Sequence, residues 1–272
     1  MIQPVQNRAD LLEALEQVRR AGAGPATNWF ATPERIERWI GRNSLFCLPG
    51  DRALLILRRD RGFHRVYHSA ADLEALSAVL RSLSGPLNAE DVLIADLVGR
   101  PQDLEPVIGI YRENGFSEHN CLVRMTRTAA PEEVAEIEPD VEFAGPADVE
   151  SVVAFLCHLL DPYTDQIPDE DEIREAVALG KLVMVRRDDS LGGLLLFETV
   201  GVTSHLRYWY VDDTVRNRGI GARLIRHFFR LTRSSRRWIL WVASDNSDAI
   251  AKYRHYGFRP DALVDRIMIG RR

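Results

Sequence analysis

The stretch Val211-Asp212-Asp213-Thr214-Val215-Arg216-Asn217-Arg218-Gly219-Ile220-Gly221 constrains this chain more than any other part of it. Before it, His205 to Val211 is dense in aromatic and β-branched residues, the composition of a strand. After it, Ile220, Leu224, Phe228 and Leu231 recur at helical spacing. The turn therefore joins a strand to a helix. Gly219 and Gly221 permit backbone conformations that a side chain would block, and they turn successive N–H groups outward where the helix begins. Such a turn holds an anion, and a pyrophosphate suits it best. Alone, the R-x-x-G-x-G spacing is equally compatible with a plain tight turn.

A second pattern adds weight. After a strand at Trp238 to Val242 comes Asn246-Ser247-Asp248-Ala249-Ile250-Ala251-Lys252-Tyr253-Arg254-His255-Tyr256-Gly257-Phe258, a capped helix closed by glycine. The succession V-x-x-x-x-R-x-x-G-x-G and N-x-x-A-x-x-x-Y-x-x-x-G-F resembles the acyl-CoA-binding core of the GNAT acyltransferases. It is carried by Val211, Arg216, Gly219 and Gly221, then by Asn246, Ala249, Tyr253, Gly257 and Phe258. The resemblance spans roughly residues 139 to 272. Asp213 stands where many members carry proline, a departure that touches turn rigidity and leaves the anion site intact.

This resemblance implies an α/β (α+β) fold, a mixed and mostly antiparallel sheet flanked by helices, that uses acetyl-CoA to acetylate a primary amine by direct transfer. The backbone of Arg216, Asn217, Arg218, Gly219, Ile220 and Gly221 would cradle the cofactor's pyrophosphate. The strand before the turn would splay from the next and pair with the pantetheine arm, with amides near Tyr210 and Val211 facing the thioester. Asn246 would cap its helix, contact the cofactor, or do both. Tyr253 lies one turn beyond Ala249 on the same helix face. Without the resemblance such a tyrosine is more often plain core; with it, Tyr253 protonates the leaving thiolate.

The general base stays open. His205 lies six residues before Val211, where some family members place a glutamate, and an imidazole has a suitable pKa. Glu198, at the end of the preceding strand, competes with it, and a water chain without a dedicated base is the third possibility. The loop between the first two helices of this half holds Asp161, Tyr163, Asp165, Asp169, Glu170 and Asp171. It is either a carboxylate-rich lid that attracts a cationic amine or an ordinary solvated loop. Rival functions are transfer of a longer acyl group, transfer to a hydroxyl or peptide-like acceptor, and a non-catalytic CoA-binding sensor or scaffold.

A chain of 272 residues suits two domains of ordinary size. No apolar run approaches the ~20 residues of a membrane span, and no charged segment followed by an apolar block opens the chain, so we expect a cytoplasmic protein away from membranes. Cys47, Cys121 and Cys157 are scattered and read as packing residues; the dispersed histidines give no support for a metal site. A net charge of -5 argues against nucleic acid, and Arg223, Arg226, Arg230 and Arg233 read as a solvated helix face. The expected partner is a small-molecule or peptide amine, and the expected state a monomer or homodimer.

The first half shows the same order of elements as the second. Helices around Leu11 to Val18 and from Pro33 to Ile40 precede strands at Leu45 to Leu48, Ala53 to Leu57 and His64 to Tyr67. A helix from Ala71 to Leu83, a strand at Val92 to Leu97, a helix from Leu104 to Tyr111 and a strand at Leu122 to Met125 follow. Tyr111-Arg112-Glu113-Asn114-Gly115-Phe116 echoes Tyr253 to Phe258. The pattern predicts a tandem duplication: residues 1–128 as a degenerate copy, 129–139 as a linker and 140–272 as the catalytic copy, with Pro146 opening its first helix. The alternative is an unrelated α/β domain. In the first copy the link His68-Ser69-Ala70 has neither glycine nor arginine, so no cofactor site is expected there.

Overall fold

The computed structural model describes residues 1–22, 26–84, 91–128, 140–187, 190–215 and 218–271. It divides into two compact units, Met1–Leu122 with Ala262–Arg272, and Val123–Asp261. The first contains β1 (Gln3–Pro4), α1 (Arg8–Arg20), β2 (Ala26–Thr27), α2 (Pro33–Gly41), β3 (Leu45–Pro49), β4 (Ala53–Asp60), β5 (Phe63–Ala70), α3 (Leu73–Arg81), β6 (Val92–Gly99) and α4 (Pro101–Glu113). Strand β7 (Phe116–Arg127) starts there and ends in the second unit. The second unit continues with β8 (Glu142–Phe143), α5 (Val149–Leu159), α6 (Glu170–Ala178), β9 (Leu182–Arg187), β10 (Ser190–Val200), β11 (Thr203–Val211), α7 (Ile220–Leu231), β12 (Arg237–Ala243) and α8 (Ser247–His255). Strand β13 (Arg259–Arg271) follows, and from Ala262 onward it belongs to the first unit.

Each unit is a mixed, mostly antiparallel sheet flanked by helices. In the first, β3, β4 and β5 pair antiparallel, β5 and β6 run parallel, and β13 lies antiparallel to β6 from Val264 opposite Gly99 to Arg271 opposite Val92. In the second, β8, β9, β10 and β11 pair antiparallel and β11 runs parallel to β12. Both parallel pairs part early: His64–Leu93 and Arg65–Ile94 are the register partners in one, Thr203–Arg237 to His205–Ile239 in the other. The strands continue well past those points, so each sheet opens into a cleft.

Helix starts follow the sequence. Asn7, Thr32, Asp72 and Asp169 accept a hydrogen bond from the third residue of the helices they cap, and Asp169 forms a reciprocal capping box with Glu172. The apolar stripes then bury against the sheets. In the second unit Leu224, Ile225 and Phe228 of α7 pack with Leu195, Phe197, Leu206 and Trp238 on one face. Val152 and Leu156 of α5 and Ile173 of α6 pack with Leu182, Leu194 and Leu196 on the other.

Several local expectations need correction. His68, Ser69 and Ala70 are not a link but the end of β5, because β4 continues opposite them with Leu54 facing Ser69 and Ala53 facing Ala70. The link is Ala71-Asp72. Pro146 opens a short 3₁₀ turn, Pro146–Asp148, and the α-helix begins at Val149. Cys157 is exposed, so it is not a packing residue, whereas Cys47 and Cys121 are half-buried. The compact units differ from the expected ranges by giving 123–128 to the second and 262–272 to the first. The expected linker, 129–139, lies outside the described residues.

Candidate active site

Strand β11 is irregular where it leaves β12. Phe197 faces Leu206 and Leu196 faces Tyr208, so Arg207 is an extra residue, a β-bulge. The bulge resets the alternation of side chains: Leu206, Trp209 and Val211 pack on the α7 side, while Tyr208 joins the core under α5 and α6. Tyr210 follows Tyr208, its ring 5.4 Å from that of Phe155 on α5.

The glycine turn is built by two different uses of glycine. Gly219 has φ 75°, a left-handed conformation that disfavours other residues, and as N-cap of α7 it supplies no side-chain hydrogen bond. Among the described residues no side chain caps the first N–H groups of α7, and both Arg218 and Gly219 are exposed. Ile220 is buried and anchors the helix. Gly221 serves close packing: a Cβ there would lie 3.3 Å from Trp209 Cζ2 and 3.5 Å from Val211 Cγ2. Upstream, Asp212 Oδ1 accepts from Thr214 N at 2.9 Å and stiffens the turn. Arg216 and Asn217 lie outside the described residues.

On α8, Asn246 Oδ1 accepts from Ala249 N at 3.0 Å, so the capping role is observed. The helix closes at Gly257, φ 81°. Tyr253 packs 5.6 Å from Trp209 and 6.1 Å from Phe258, between ring centroids. Burial pushes its phenol up to about 12, so it stays protonated at neutral pH. Trp209 Nε1 is buried and, among the described residues, has no hydrogen-bond partner.

The two base candidates come together. Glu198 on β10 and His205 on β11 are register partners, so their side chains emerge on one face. Arg207 Nη1 donates to Glu198 Oε1 at 2.5 Å. Sequence reasoning missed Arg207, since the aromatic run Tyr208-Trp209-Tyr210 fits either phase of the alternation and nothing marks an inserted residue.

The acidic connector between α5 and α6 proves to be held by its own carboxylates. Asp161 accepts from Tyr163 N at 3.1 Å and from Thr164 Oγ1 at 2.6 Å, and Asp165 accepts from Asp161 N at 3.1 Å. Contrary to expectation, Glu170 and Asp171 lie not in the loop but in the first turn of α6, which Asp169 caps, and both pair with Arg174. Tyr208 Oη donates to Gln166 O at 2.8 Å and ties the connector to β11.

An uncapped helix start beside a left-handed glycine, a strand edge that β12 leaves beyond His205, and a buried indole N–H awaiting an acceptor suit an extended anionic ligand. Residues 152–258 match the acetyltransferase (GNAT) family. The second half of the chain carries a GNAT acetyltransferase domain. The GNAT likeness extends to solved structures of the whole chain. A tandem GNAT protein from the clavulanic acid biosynthesis pathway superimposes with a TM-score of 0.62 at 14% identity, over 100% of this chain and 98% of that one. A GCN5-related N-acetyltransferase from Sphaerobacter thermophilus gives 0.60 at 13% identity, over 100% and 95%. A GNAT-family acetyltransferase from Novosphingobium aromaticivorans gives 0.53 at 20% identity, over 83% and 90%. At these identities the likeness is one of fold. No curated protein matches the chain. Among the described residues no helix is long and apolar enough to cross a membrane.

Proposed function

We propose that the GNAT domain transfers an acetyl group from acetyl-CoA to a primary amine by direct attack. The observation that carries this is the conjunction of the uncapped start of α7 at Gly219 with the parting of β11 and β12 and with Tyr253 alongside. Acetyl-CoA, when bound, supplies an activated acyl group as a thioester. Backbone N–H groups of Gly219 to Gly221, with Arg218, would hold its pyrophosphate, and Arg216 and Asn217 belong to the same stretch. The edge of β11 around Tyr210 and Val211 would receive its pantetheine arm, next to Asn246 at the start of α8.

Each chain residue then has a proton task. Tyr253 Oη holds its proton at neutral pH and donates it to the departing sulfur. The amine must lose a proton to become nucleophilic, and His205 and Glu198, side by side on one face, are the groups to take it. The domain would work as a monomer or homodimer.

Free-thiol release from acetyl-CoA in the presence of an amine panel tests the reading. Tyr253→Phe should lower turnover by roughly a hundredfold, the usual worth of a lost general acid, while cofactor affinity stays within a few fold. Equal turnover in variant and parent would return Tyr253 to core packing. Thermal stabilisation by CoA without any thiol release would turn the protein into a sensor.

A further inference from the structure

The ion pair at the bulge of β11 bears on which amine is used. Arg207 is extra to the ladder, and its guanidinium carbon stands 5.8 Å from the centroid of the Tyr208 ring, on the sheet face that α5 and α6 cover. Only 16% of its side chain is exposed, against 47% for its partner Glu198. The pair thus has a sheltered cationic end and an open anionic end, and His205 lies opposite Glu198. The connector's carboxylates are engaged in its own turns and in the α6 cap.

We propose that the acceptor is an α-amino acid or a similar small zwitterion, its carboxylate taken by Arg207 and its ammonium by Glu198; this rests on the acyl-transfer reading above. A guanidinium carries five N–H donors, so its bonds to Glu198 and to the Tyr208 side chain leave others for a carboxylate. A zwitterion exchanges partners with the pair and leaves no charge uncompensated. A simple monoamine would draw Glu198 away and leave the sheltered guanidinium without its paired carboxylate, with only the Tyr208 side chain and the more distant charge of Glu172 to face it, so it binds worse. The ammonium held at Glu198 is then beside the two groups that can take its proton.

The test uses the full chain, saturating acetyl-CoA, and common L-amino acids compared with their carboxamides, which keep the amine and lose the negative charge. At least one amino acid should exceed its carboxamide in kcat/KM by roughly 10–100-fold, the worth of one charged hydrogen bond. Arg207→Gln should erase that preference by raising KM for the amino acid, with KM for acetyl-CoA unchanged. Amino acids and carboxamides used equally by the parent protein, or a preference that survives Arg207→Gln, would overturn the proposal and leave acyl transfer standing. Absence of both CoA binding and thiol release would instead overturn the acyl-transfer reading beneath it. The parent comparison decides the matter even if the variant fails to fold.

Discussion

Tyr111 and Tyr253 occupy the same step of the two units, each in a helix closed by a left-handed glycine and followed by phenylalanine, with φ 84° at Gly115 and 81° at Gly257. Their surroundings differ. Tyr111 is fully buried with its Oη 3.0 Å from Nδ1 of His68, the third residue from the end of β5. Tyr253 is partly buried beside Trp209, the third residue from the end of β11. The clefts differ in the same sense. In the first unit β2 pairs with the edge of β5, and Asn28 bridges the parted strands: its Nδ2 donates to Val66 O at 3.2 Å and Asp96 O at 3.0 Å, and its Oδ1 accepts from His68 N at 2.6 Å. No strand forms between α5 and α6 in the second unit, where the described connector meets Tyr208 instead. The helix starts complete the contrast, since Asp72 Oδ1 caps α3 through Ala75 N at 2.8 Å, while Gly219 gives α7 no such bond. One frame satisfies its cleft with its own atoms, and the other, among the described residues, leaves the N–H groups at the start of α7 and Trp209 Nε1 without such partners.

Breaking the first unit's plug should have the largest effect. Asn28→Leu strands two carbonyls and an N–H in a buried site, and about 3 kcal/mol or more of stability should go, read by urea denaturation. A loss under about 1 kcal/mol would mean that Asn28 does not hold the cleft. Gly219→Val forces a β-branched residue to φ 75°. Acetyl-CoA at 100 times Kd should stabilise the parent by about 2.7 kcal/mol, seen as a rise in Tm, and this variant should lose the rise. Retention of the full shift would place the site elsewhere. Calorimetric titration should count one acetyl-CoA per chain; two would break the contrast between the units.

The smallest effect concerns His68, whose imidazole burial holds down to about 3 from 6.5. A folded-state pKa below the unfolded one means that the unfolded chain takes the proton first. The stability contributed by neutral His68 is whole above pH 6.5 and declines as pH falls from there toward 3. Its ring resonances in NMR spectra should therefore stay flat between pH 8 and pH 5. A midpoint near 6.5 would show the cleft of the first unit to be wet.

Much of this was legible because it is local. The Pro33 start of α2, the Asn246-capped start of α8, the apolar spacing of α7, and the Gly257-Phe258 step each act within a few residues. What stayed hidden depends on partners far away in the chain. The two residues of β2 have no periodicity to display, and their pairing with Ser69 and Ala70 is what defines them. The bulge at Arg207 exists only relative to β10. That β5 runs on to Ala70 follows from β4, not from the residues His68 to Ala70 themselves.

Strand β13 gives the molecule a schedule. The first unit needs Val264 to Arg271 beside β6, yet the whole second unit is translated in between. At about 5–20 residues per second, β6 waits roughly ten to thirty seconds with one edge unpaired and Leu93, Ala95 and Leu97 short of their final cover. The half of the protein made first is therefore the half finished last, and during that interval the nascent chain is at its most vulnerable to aggregation.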